Sequence, residues 1–497
     1  MPRLDGAIHV PIHSAPMFAV DTWLVAGGAG LAWFLPGAVA SAHAIMYKRD
    51  PRSSAIWVVV SFLIPVGGPW LYWAFGINRI ERKATRRLGR RERPFDAPAR
   101  RHESSRFDPV SEPVGHLTSL RTVADRVTRL PLLAGNSLTP LHNGERAYPR
   151  MLAAIRGAER TITLASYIFD WDDVGREFVR VLDETAARGV RVHVLVDGIG
   201  ALGSFSRMGR LLLKSGAEVR AFFPLRFPLG RLRINLRNHR KLLVVDGTTG
   251  FTGGMNISAR HLVERGDARR VVDLHFEITG PVVAEMQHAF AEDWTLATGT
   301  ALEGDGYFPH LAPTGPAHCR GISSGPDEDF EINHWIVLAA FTAARQRVRI
   351  LTPYFVPTGP LITAMSMAAL RGVEVSLLLP SQLDLPYMRW AADAYLWQLL
   401  EHGIRVYRHP PPFVHTKLLL VDERWTLLGS SNLDRRSFRL NFEFNVEAYD
   451  VDLARDLSRR VDEHLARAEE VSLEEIDSRP LRRRFRDSSA KLLSPFL

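Results

Sequence analysis

An internal duplication is the feature that most limits how this chain can fold. Each half contains a strand pattern, then a helix with apolar residues at helical spacing, then a strand that is nearly continuous in apolar residues. The segments are 160–169, 173–189 and 190–198 in the first half and 347–356, 359–372 and 373–380 in the second. Continuous apolar strands are typical of buried parallel sheets. The period is about 180 residues, far longer than a solenoid repeat, so the sequence predicts two fused copies of one α/β domain.

The same polar residues recur at equivalent positions of the two halves. Each half has a His-x-Lys, an Asp five residues after the Lys, and a Gly-x-x-Asn whose Asn follows the His by 17 residues. These residues are His239, Lys241, Asp246 and Asn256 in the first half, and His415, Lys417, Asp422 and Asn432 in the second. One copy alone could be a strand end whose histidine caps a neighbouring carbonyl. Two copies favour a shared catalytic role, because a core has no need to repeat these positions.

The spacing within the motif indicates where each side chain points. Side chains alternate along a strand, so His239 and Lys241 share one face, as do His415 and Lys417. Asp246 has the opposite parity and precedes a glycine, in a position suited to a turn into the next strand. The aspartates are therefore less suited than their neighbours to touch a substrate. We nevertheless keep Asp246 and Asp422 in the predicted catalytic group, as members of the repeated motif.

Two such half-sites facing each other would suit a phosphodiester. Histidine acts as a nucleophile or a general acid, whereas lysine and asparagine donate to non-bridging phosphate oxygens. An acid on the far ring nitrogen would fix each histidine's tautomer. Asp273 and Glu443, each on the next strand after its motif, fit that role, the alternative being exposed strand carboxylates. The sequence has no HExxH, His-carboxylate ligand set or P-loop, so we expect neither a metal nor a cofactor.

The N-terminal region is membrane-like. Residues 22–47 and 53–78 are uncharged runs with tryptophans toward their ends, and a helix of about 20 apolar residues spans a bilayer. We predict a transmembrane hairpin in residues 1–78, with a buried helical hairpin of a soluble domain as the alternative. The following stretch, 79–101, has ten Lys/Arg and three Asp/Glu, and therefore seven of the nine net positive charges. The positive-inside rule then places the catalytic halves in the cytoplasm.

Charge and cysteine content exclude other classes of protein. Residues 79–130 are predicted to be a basic and polar linker, whose Lys and Arg could bind anionic lipid. The rest of the chain is close to neutral, so no nucleic-acid partner is expected. The single cysteine, Cys319, excludes an internal disulfide and a cysteine-based metal site.

With these motifs in hand, the chain resembles the phospholipase D superfamily, and within it the bacterial cardiolipin synthases with two membrane spans. The resemblance is carried by "RNHRKLLVVDG" with "GGMN", by "TPYFVP", "VHTKLLLVD", "GSSNLDRRS" and "LNFE", and by the N-terminal "RDPRSSAIW". It implies two fused phospholipase D-like α/β/α repeats that share one active site, at 131–300 and 329–480. The stretch 301–328 would connect them and 481–497 would be a tail. One departure is "NISARHLVERGDARRVVD", where the family usually has a Tyr-containing segment and a Trp-Arg.

The resemblance also implies a reaction. His239 would attack the phosphorus of phosphatidylglycerol, and His415 would protonate the departing glycerol and then deprotonate a second phosphatidylglycerol, giving cardiolipin. Lys241, Lys417, Asn256 and Asn432 would hold the phosphoryl oxygens. The partners would be membrane phospholipids, and the location the cell membrane as a multi-pass protein. A lipid hydrolase, another headgroup transferase, a superfamily nuclease or phosphodiesterase, and a non-enzymatic scaffold remain as alternatives.

Overall fold

The computed structural model describes most of the chain as two compact units. The described residues are 34–48, 51–64, 66–76, 114–200, 216–224, 236–326 and 331–494. One unit comprises residues 1–83 and 227–232, and the other comprises 84–226 and 233–497. The predicted linker falls largely on residues 79–113, which lie outside the described residues.

The N-terminal unit is helical. Helix α1 covers 34–47, α2 covers Pro51–Leu63, and α3 covers Gly67–Leu71 and continues into a π-helical turn at Tyr72–Gly76. Glycine at position 68 permits a close approach between helices, because a Cβ there would lie 2.1 Å from the carbonyl oxygen of Val60.

The predicted membrane spans are only partly covered by this helical unit. Residues 22–33, 65, 77 and 78 of the two spans lie outside the described residues. Within the described part of the chain, no helix combines the length and the apolar character needed to cross a membrane.

The large unit contains the two predicted copies. The elements of the first are β1 Leu133–His142, α5 Asn143–Arg156, β2 Thr161–Ser166, α6 Asp173–Ala187, β3 Arg191–Asp197, β4 Glu218–Phe222, β5 Arg237–Asn238, β6 Leu242–Val245, β7 Thr249–Gly253, β8 Val271–Val272, β9 Leu274–Thr279 and α7 Val282–Thr298. A helix, α4 Thr118–Thr128, precedes them.

The second copy repeats the main elements in this order, with additional short ones between them. Its elements are β10 Ala317–Ser324, α8 Ile332–Ala343, β11 Arg347–Leu351, β12 Phe355–Val356, α9 Gly359–Leu370, β13 Glu374–Pro380, α10 Pro386–Asp393, α11 Leu396–Leu400, β14 Arg405–His409, β15 Phe413–Val414, β16 Leu418–Val421, β17 Trp425–Gly429, β18 Leu433–Asp434, α12 Arg435–Arg439, β19 Asn441–Tyr449 and α13 Val451–Leu465. Three elements follow: β20 Glu469–Val471, α14 Leu473–Asp477 and α15 Leu481–Leu492.

The two copies form one continuous sheet with matching strand orders. From the centre outward, the first copy runs β1-β9-β7-β6-β2-β3-β4 and the second runs β10-β19-β17-β16-β11-β13-β14. The halves join where β1 pairs antiparallel with β10. In each copy, the strands on either side of the predicted helix pair in parallel, β2 with β3 and β11 with β13. The predicted duplication and its strand–helix–strand units are therefore confirmed.

Two segment predictions need correction. The stretch 301–328 is not only a connection, because it contains β10, which takes in the second copy the central place that β1 takes in the first. Its Gly and Pro residues flank this strand and hid it in the sequence. The predicted tail 481–497 begins with an ordered helix, α15.

A core shared by both copies fixes their relative position. One apolar cluster joins Phe276 and Phe290 of the first copy to Phe444 and Leu457 of the second, all buried. Because protein interiors are close-packed, this shared core leaves little freedom for one copy to move against the other. Residues from both copies can therefore contribute to one rigid site.

Candidate active site

Both motif histidines follow two-residue strands that pair with the opposite copy. Strand β5 pairs in parallel with β19, and β15 pairs in parallel with β8. The backbone N–H of His239 donates to the carbonyl of Phe442 over 2.9 Å, and that of His415 donates to the carbonyl of Val272 over 2.8 Å. The residue after each of these carbonyls is a predicted acid, Glu443 or Asp273. The backbone thus delivers each histidine to an acid of the other copy.

The acids are exchanged between the copies. His239 Nδ1 lies 3.0 Å from Glu443 Oε2, and His415 Nδ1 lies 2.8 Å from Asp273 Oδ2. A carboxylate at Nδ1 accepts the proton carried there and leaves the lone pair of Nε2 available. Each imidazole can then act through Nε2 as a nucleophile or, after protonation, as an acid.

The motif lysines are buried beside the histidines but contact them differently. Lys241 Nζ donates to the backbone carbonyl of His239 over 2.7 Å and lies 5.5 Å from the ring centroid of Tyr167. Lys417 Nζ donates to the backbone carbonyl of His415 over 2.5 Å and also lies 2.9 Å from both ring nitrogens of His415. Only the second lysine therefore reaches a ring nitrogen of its histidine.

Burial governs the protonation of the basic groups. Desolvation lowers the pKa of both His239 and His415 to about 4, although Glu443 and Asp273 oppose the shift. Desolvation also lowers the pKa of Lys241 to about 7 and that of Lys417 to about 8. Both histidines are thus neutral at pH 7 in the absence of a further negative charge.

The two acids keep a low pKa despite burial. Desolvation alone would raise the pKa of Asp273 and Glu443, but the charges and hydrogen bonds of their histidine partners lower it. When both lysines are protonated, the two carboxylates balance the ammonium groups of Lys241 and Lys417. Protonation of one histidine then leaves one positive charge, which matches the single negative charge of a phosphodiester.

The surroundings of the two acids differ between the copies. Glu443 accepts hydrogen bonds from Ser430 Oγ over 2.5 Å and from Asn441 Nδ2 over 3.1 Å. Asp273 accepts from the backbone N–H of Leu274 over 2.8 Å. It also packs on Gly254, where a Cβ would lie 2.3 Å from Asp273 Oδ1. Gly254 and Ser430 occupy equivalent positions in the two copies. Glycine leaves room for Asp273, whereas serine donates a hydrogen bond to Glu443.

The two motif asparagines lie beyond the ends of their return strands. Asn256 Oδ1 accepts from the backbone N–H of Ile168 over 3.1 Å, and its Nδ2 makes no hydrogen bond with a described residue. Asn432 Oδ1 is buried and has no partner in the described part of the chain. Each side chain therefore retains a polar atom for a ligand.

Asp246 and Asp422 are not brought into the site, which corrects their place in the catalytic group. Both adopt a left-handed backbone conformation, each with φ 52°, in the turns after β6 and β16. Their carboxylates accept hydrogen bonds from the backbone N–H groups of Glu159, Arg160 and Thr161, and of Arg345, Gln346 and Arg347, respectively. They anchor the start of a neighbouring strand.

His261 is a site residue that sequence reasoning missed. It is buried, its Nε2 accepts from the backbone N–H of Asn256 over 3.3 Å, and its Nδ1 has no partner among the described residues. Burial lowers the pKa of His261 to about 4, and the charges of Asp273 and His415 also act on it. The only signal in the sequence was that it lies in the segment that departs from the family pattern.

Two tyrosines flank the histidines. The ring of Tyr167 lies 5.1 Å from that of His239, and the ring of Tyr354 lies 6.4 Å from that of His415. Both follow the first parallel strand of their copy. Nowhere in the described ranges do three or more His, Cys, Asp or Glu side chains cluster so as to hold a metal ion.

Comparisons with known proteins identify the family of the chain. Residues 151–294 and 337–465 match the family described as "Cardiolipin synthase, PLD-like domain", and residues 38–76 match "Phospholipase_D-nuclease N-terminal". A cardiolipin synthase of Geobacillus kaustophilus (strain HTA426) is 33% identical over 455 residues, which cover 90% of each chain. The chain belongs to the phospholipase D-like cardiolipin synthase family. Each of the two stretches matched to this family contains one of the motif histidines.

Other relatives of this cardiolipin synthase family member extend the comparison. Cardiolipin synthase A of Pseudomonas fluorescens (strain SBW25) is 34% identical over 476 residues, covering 93% of this chain and 96% of the relative. Among solved structures, the phosphatidylserine synthase of Haemophilus influenzae Rd KW20 aligns with a TM-score of 0.60 at 16% identity. It covers 76% of this chain and 100% of its own. That likeness concerns the fold alone.

Proposed function

We propose that this protein is a cardiolipin synthase that transfers the phosphatidyl group of one phosphatidylglycerol to another and releases glycerol. The observation that carries the proposal is the exchange of acids between the copies, His239 with Glu443 and His415 with Asp273. This exchange of acids supports two activated histidines in one buried site. Family membership supports the choice of substrate and product.

In the first half-reaction, Nε2 of His239 attacks the phosphorus of the donor lipid. The new N–P bond forms as the bond from phosphorus to the glycerol oxygen breaks, and His415 gives its proton to that oxygen. The assignment of His239 as nucleophile follows the resemblance to the family. The contact of Lys417 with both ring nitrogens of His415, each at 2.9 Å, supports a proton-handling role for the second histidine.

In the second half-reaction, neutral His415 takes the proton of a hydroxyl on the glycerol headgroup of a second phosphatidylglycerol. The resulting alkoxide attacks phosphorus, the N–P bond breaks, and His239 is restored. The ammonium groups of Lys241 and Lys417, with the amides of Asn256 and Asn432, stabilise the charge on the phosphoryl oxygens. Both histidines are only 9% exposed, which disfavours water as the competing acceptor.

The proposal includes the membrane arrangement. Residues 1–78 form the hairpin with spans at about 22–47 and 53–78, and both catalytic copies lie on the cytoplasmic side of the cell membrane. Support comes from the uncharged runs, from the basic stretch 79–101 and from the substrates, which are membrane lipids.

The test is incubation of the purified full chain with labelled phosphatidylglycerol in mixed micelles without added metal, followed by lipid separation. We expect cardiolipin and glycerol in equal amounts, and no product from a His239→Ala control. Phosphatidic acid as the sole lipid product would identify a hydrolase and contradict the proposal. No reaction with the lipid at all would remove the synthase assignment.

A further inference from the structure

The last helix, α15, exposes a row of large apolar side chains. Leu481, Phe485 and Leu492 are 81%, 74% and 77% exposed. Steps of four and seven residues return to the same side of an α-helix, so the three form one face. A large exposed apolar row on an otherwise ordered element marks an interaction surface.

The opposite face of α15 is anchored to the large unit. Asp487 and Ala490 are buried, and Arg479 Nη1 donates to Asp487 Oδ2 over 2.9 Å. The guanidinium of Arg486 lies 4.7 Å from the ring of Trp390 in α10. The helix is therefore held in place, and its apolar row is not available to turn inward.

Helix α15 has a high net positive charge, and three of its arginines lie in the first turn, where they do not stabilise the helix. Five Lys/Arg against one Asp give a net charge of +4, and the first turn contains no acid. Arg482, Arg483 and Arg484 are exposed and form no ion pair with a described residue. Cations near a helix N-terminus oppose the helix dipole. Their position is thus explained by an external anion better than by helix stability.

A series of contacts links α15 to the active site through α10. Helix α10, on which α15 packs, begins two residues after Asp384, whose carboxylate accepts a hydrogen bond from the hydroxyl of Tyr354. Tyr354 in turn flanks His415.

We propose that α15 is an interfacial helix that docks on the surface of a bilayer containing anionic lipid. The exposed apolar row would enter the boundary between headgroups and acyl chains, and Arg482 and Arg484 on its two sides would bind phosphates. Charge complementarity favours anionic lipid over a neutral membrane or an apolar protein surface. The inference rests on the proposed function only for the lipid expected, phosphatidylglycerol, because docking requires no turnover.

The test uses an environment-sensitive fluorophore on a Phe485→Cys variant of the full chain, reconstituted into vesicles. The native Cys319 is fully buried, so labelling is confined to position 485. We expect the emission to shift to shorter wavelength in vesicles of phosphatidylcholine with phosphatidylglycerol, and not in phosphatidylcholine alone. The shift should be lost at about 1 M NaCl, where the Debye length is about 3 Å. A label at the exposed Ala187→Cys position should show no such shift.

Charge reversal separates docking from misfolding. Arg482→Glu with Arg484→Glu places acids at the helix N-terminus, where they favour the helix, so a lost shift would reflect lost lipid contact. An unchanged shift in this variant, or an equal shift in neutral vesicles, would overturn the anionic-lipid proposal. So would a shift in detergent that grows with protein concentration, since it would indicate contact with a second copy. Cardiolipin formation in micelles, measured separately, distinguishes failure of docking from failure of the proposed function.

Discussion

The two histidine sites use the same motif but surround it differently. Glu443, which holds His239, accepts hydrogen bonds from two further side chains, Ser430 and Asn441. Asp273, which holds His415, has a backbone donor and a glycine surface instead. Lys417 reaches the ring of His415, whereas Lys241 contacts His239 only at its backbone carbonyl. Duplication supplied one scaffold, and local substitutions allow its two copies to take different roles.

The largest effect should follow removal of either histidine. We expect His239→Ala and His415→Ala each to lower the rate of cardiolipin formation by at least about 10³-fold. The two variants should differ with a phosphatidyl ester of p-nitrophenol, whose leaving group needs no proton. His415→Ala should release one equivalent of p-nitrophenol in a burst, whereas His239→Ala should release none.

The same burst experiment can also contradict the roles assigned to the two histidines. A burst from His239→Ala but not from His415→Ala would exchange the two roles. Full steady-state turnover by either variant would remove its histidine from the mechanism.

Substitution of either acid should affect the histidine of the other copy. An amide in place of the carboxylate can donate its N–H to Nδ1 and so favours the wrong histidine tautomer. We therefore expect the rate of turnover to fall about 10²–10⁴-fold. Glu443→Gln should abolish the p-nitrophenol burst, because Glu443 contacts His239. Asp273→Asn should retain the burst and lose turnover with phosphatidylglycerol. The reverse pattern would mean that each acid serves the histidine of its own copy.

Substitution of the residues that contact the acids should lower turnover less than substitution of the acids themselves. Gly254→Ser would force a Cβ to within 2.3 Å of Asp273 Oδ1, so we expect a loss of turnover of about 10²-fold with the burst retained. Ser430→Gly removes one hydrogen bond to Glu443, for which about a tenfold loss is expected. Both are measured as initial rates in mixed micelles. Equal effects of the two changes would show that the two acid environments are interchangeable.

Much of the scaffold and the members of the site were predictable from the sequence. The strand–helix–strand units were visible because buried parallel strands leave continuous apolar runs. His239, Lys241 and their second-copy equivalents were visible because the same spacing occurs twice. The turn position of Asp246 followed from side-chain parity.

The pairing of the acids was not predictable, because it depends on strands of two residues whose partners are about 140 and about 200 positions away in the chain. Such short pairings have no periodic signal of their own. The backbone partners of Asp246 and Asp422 lie 75 to 87 positions away in the chain, and β10 was hidden by flanking Gly and Pro. His261 has no copy in the second half, so repetition could not reveal it.

His261 and its equivalent allow the smallest and most specific test of the comparison. In the first copy the backbone N–H of Asn256 donates to His261 Nε2, and in the second that of Asn432 donates to Ser437 Oγ over 3.2 Å. Burial lowers the pKa of His261 from 6.5 to about 4. Between these values the unfolded chain binds a proton that the folded chain does not, so stability falls as the pH decreases.

We expect His261→Ser, which copies the second half, to reduce this acid lability. The loss of unfolding free energy between pH 6.5 and pH 4 should become smaller by about 3 kcal/mol at most, the equivalent of the pKa shift of one buried histidine. Thermal unfolding of the detergent-solubilised protein over this pH range measures it, with the wild type as control. Stability at pH 7.5 should not benefit, because both states are neutral there. An unchanged pH slope would show that the pKa of His261 is the same in the folded and the unfolded protein, which would contradict the effect of burial.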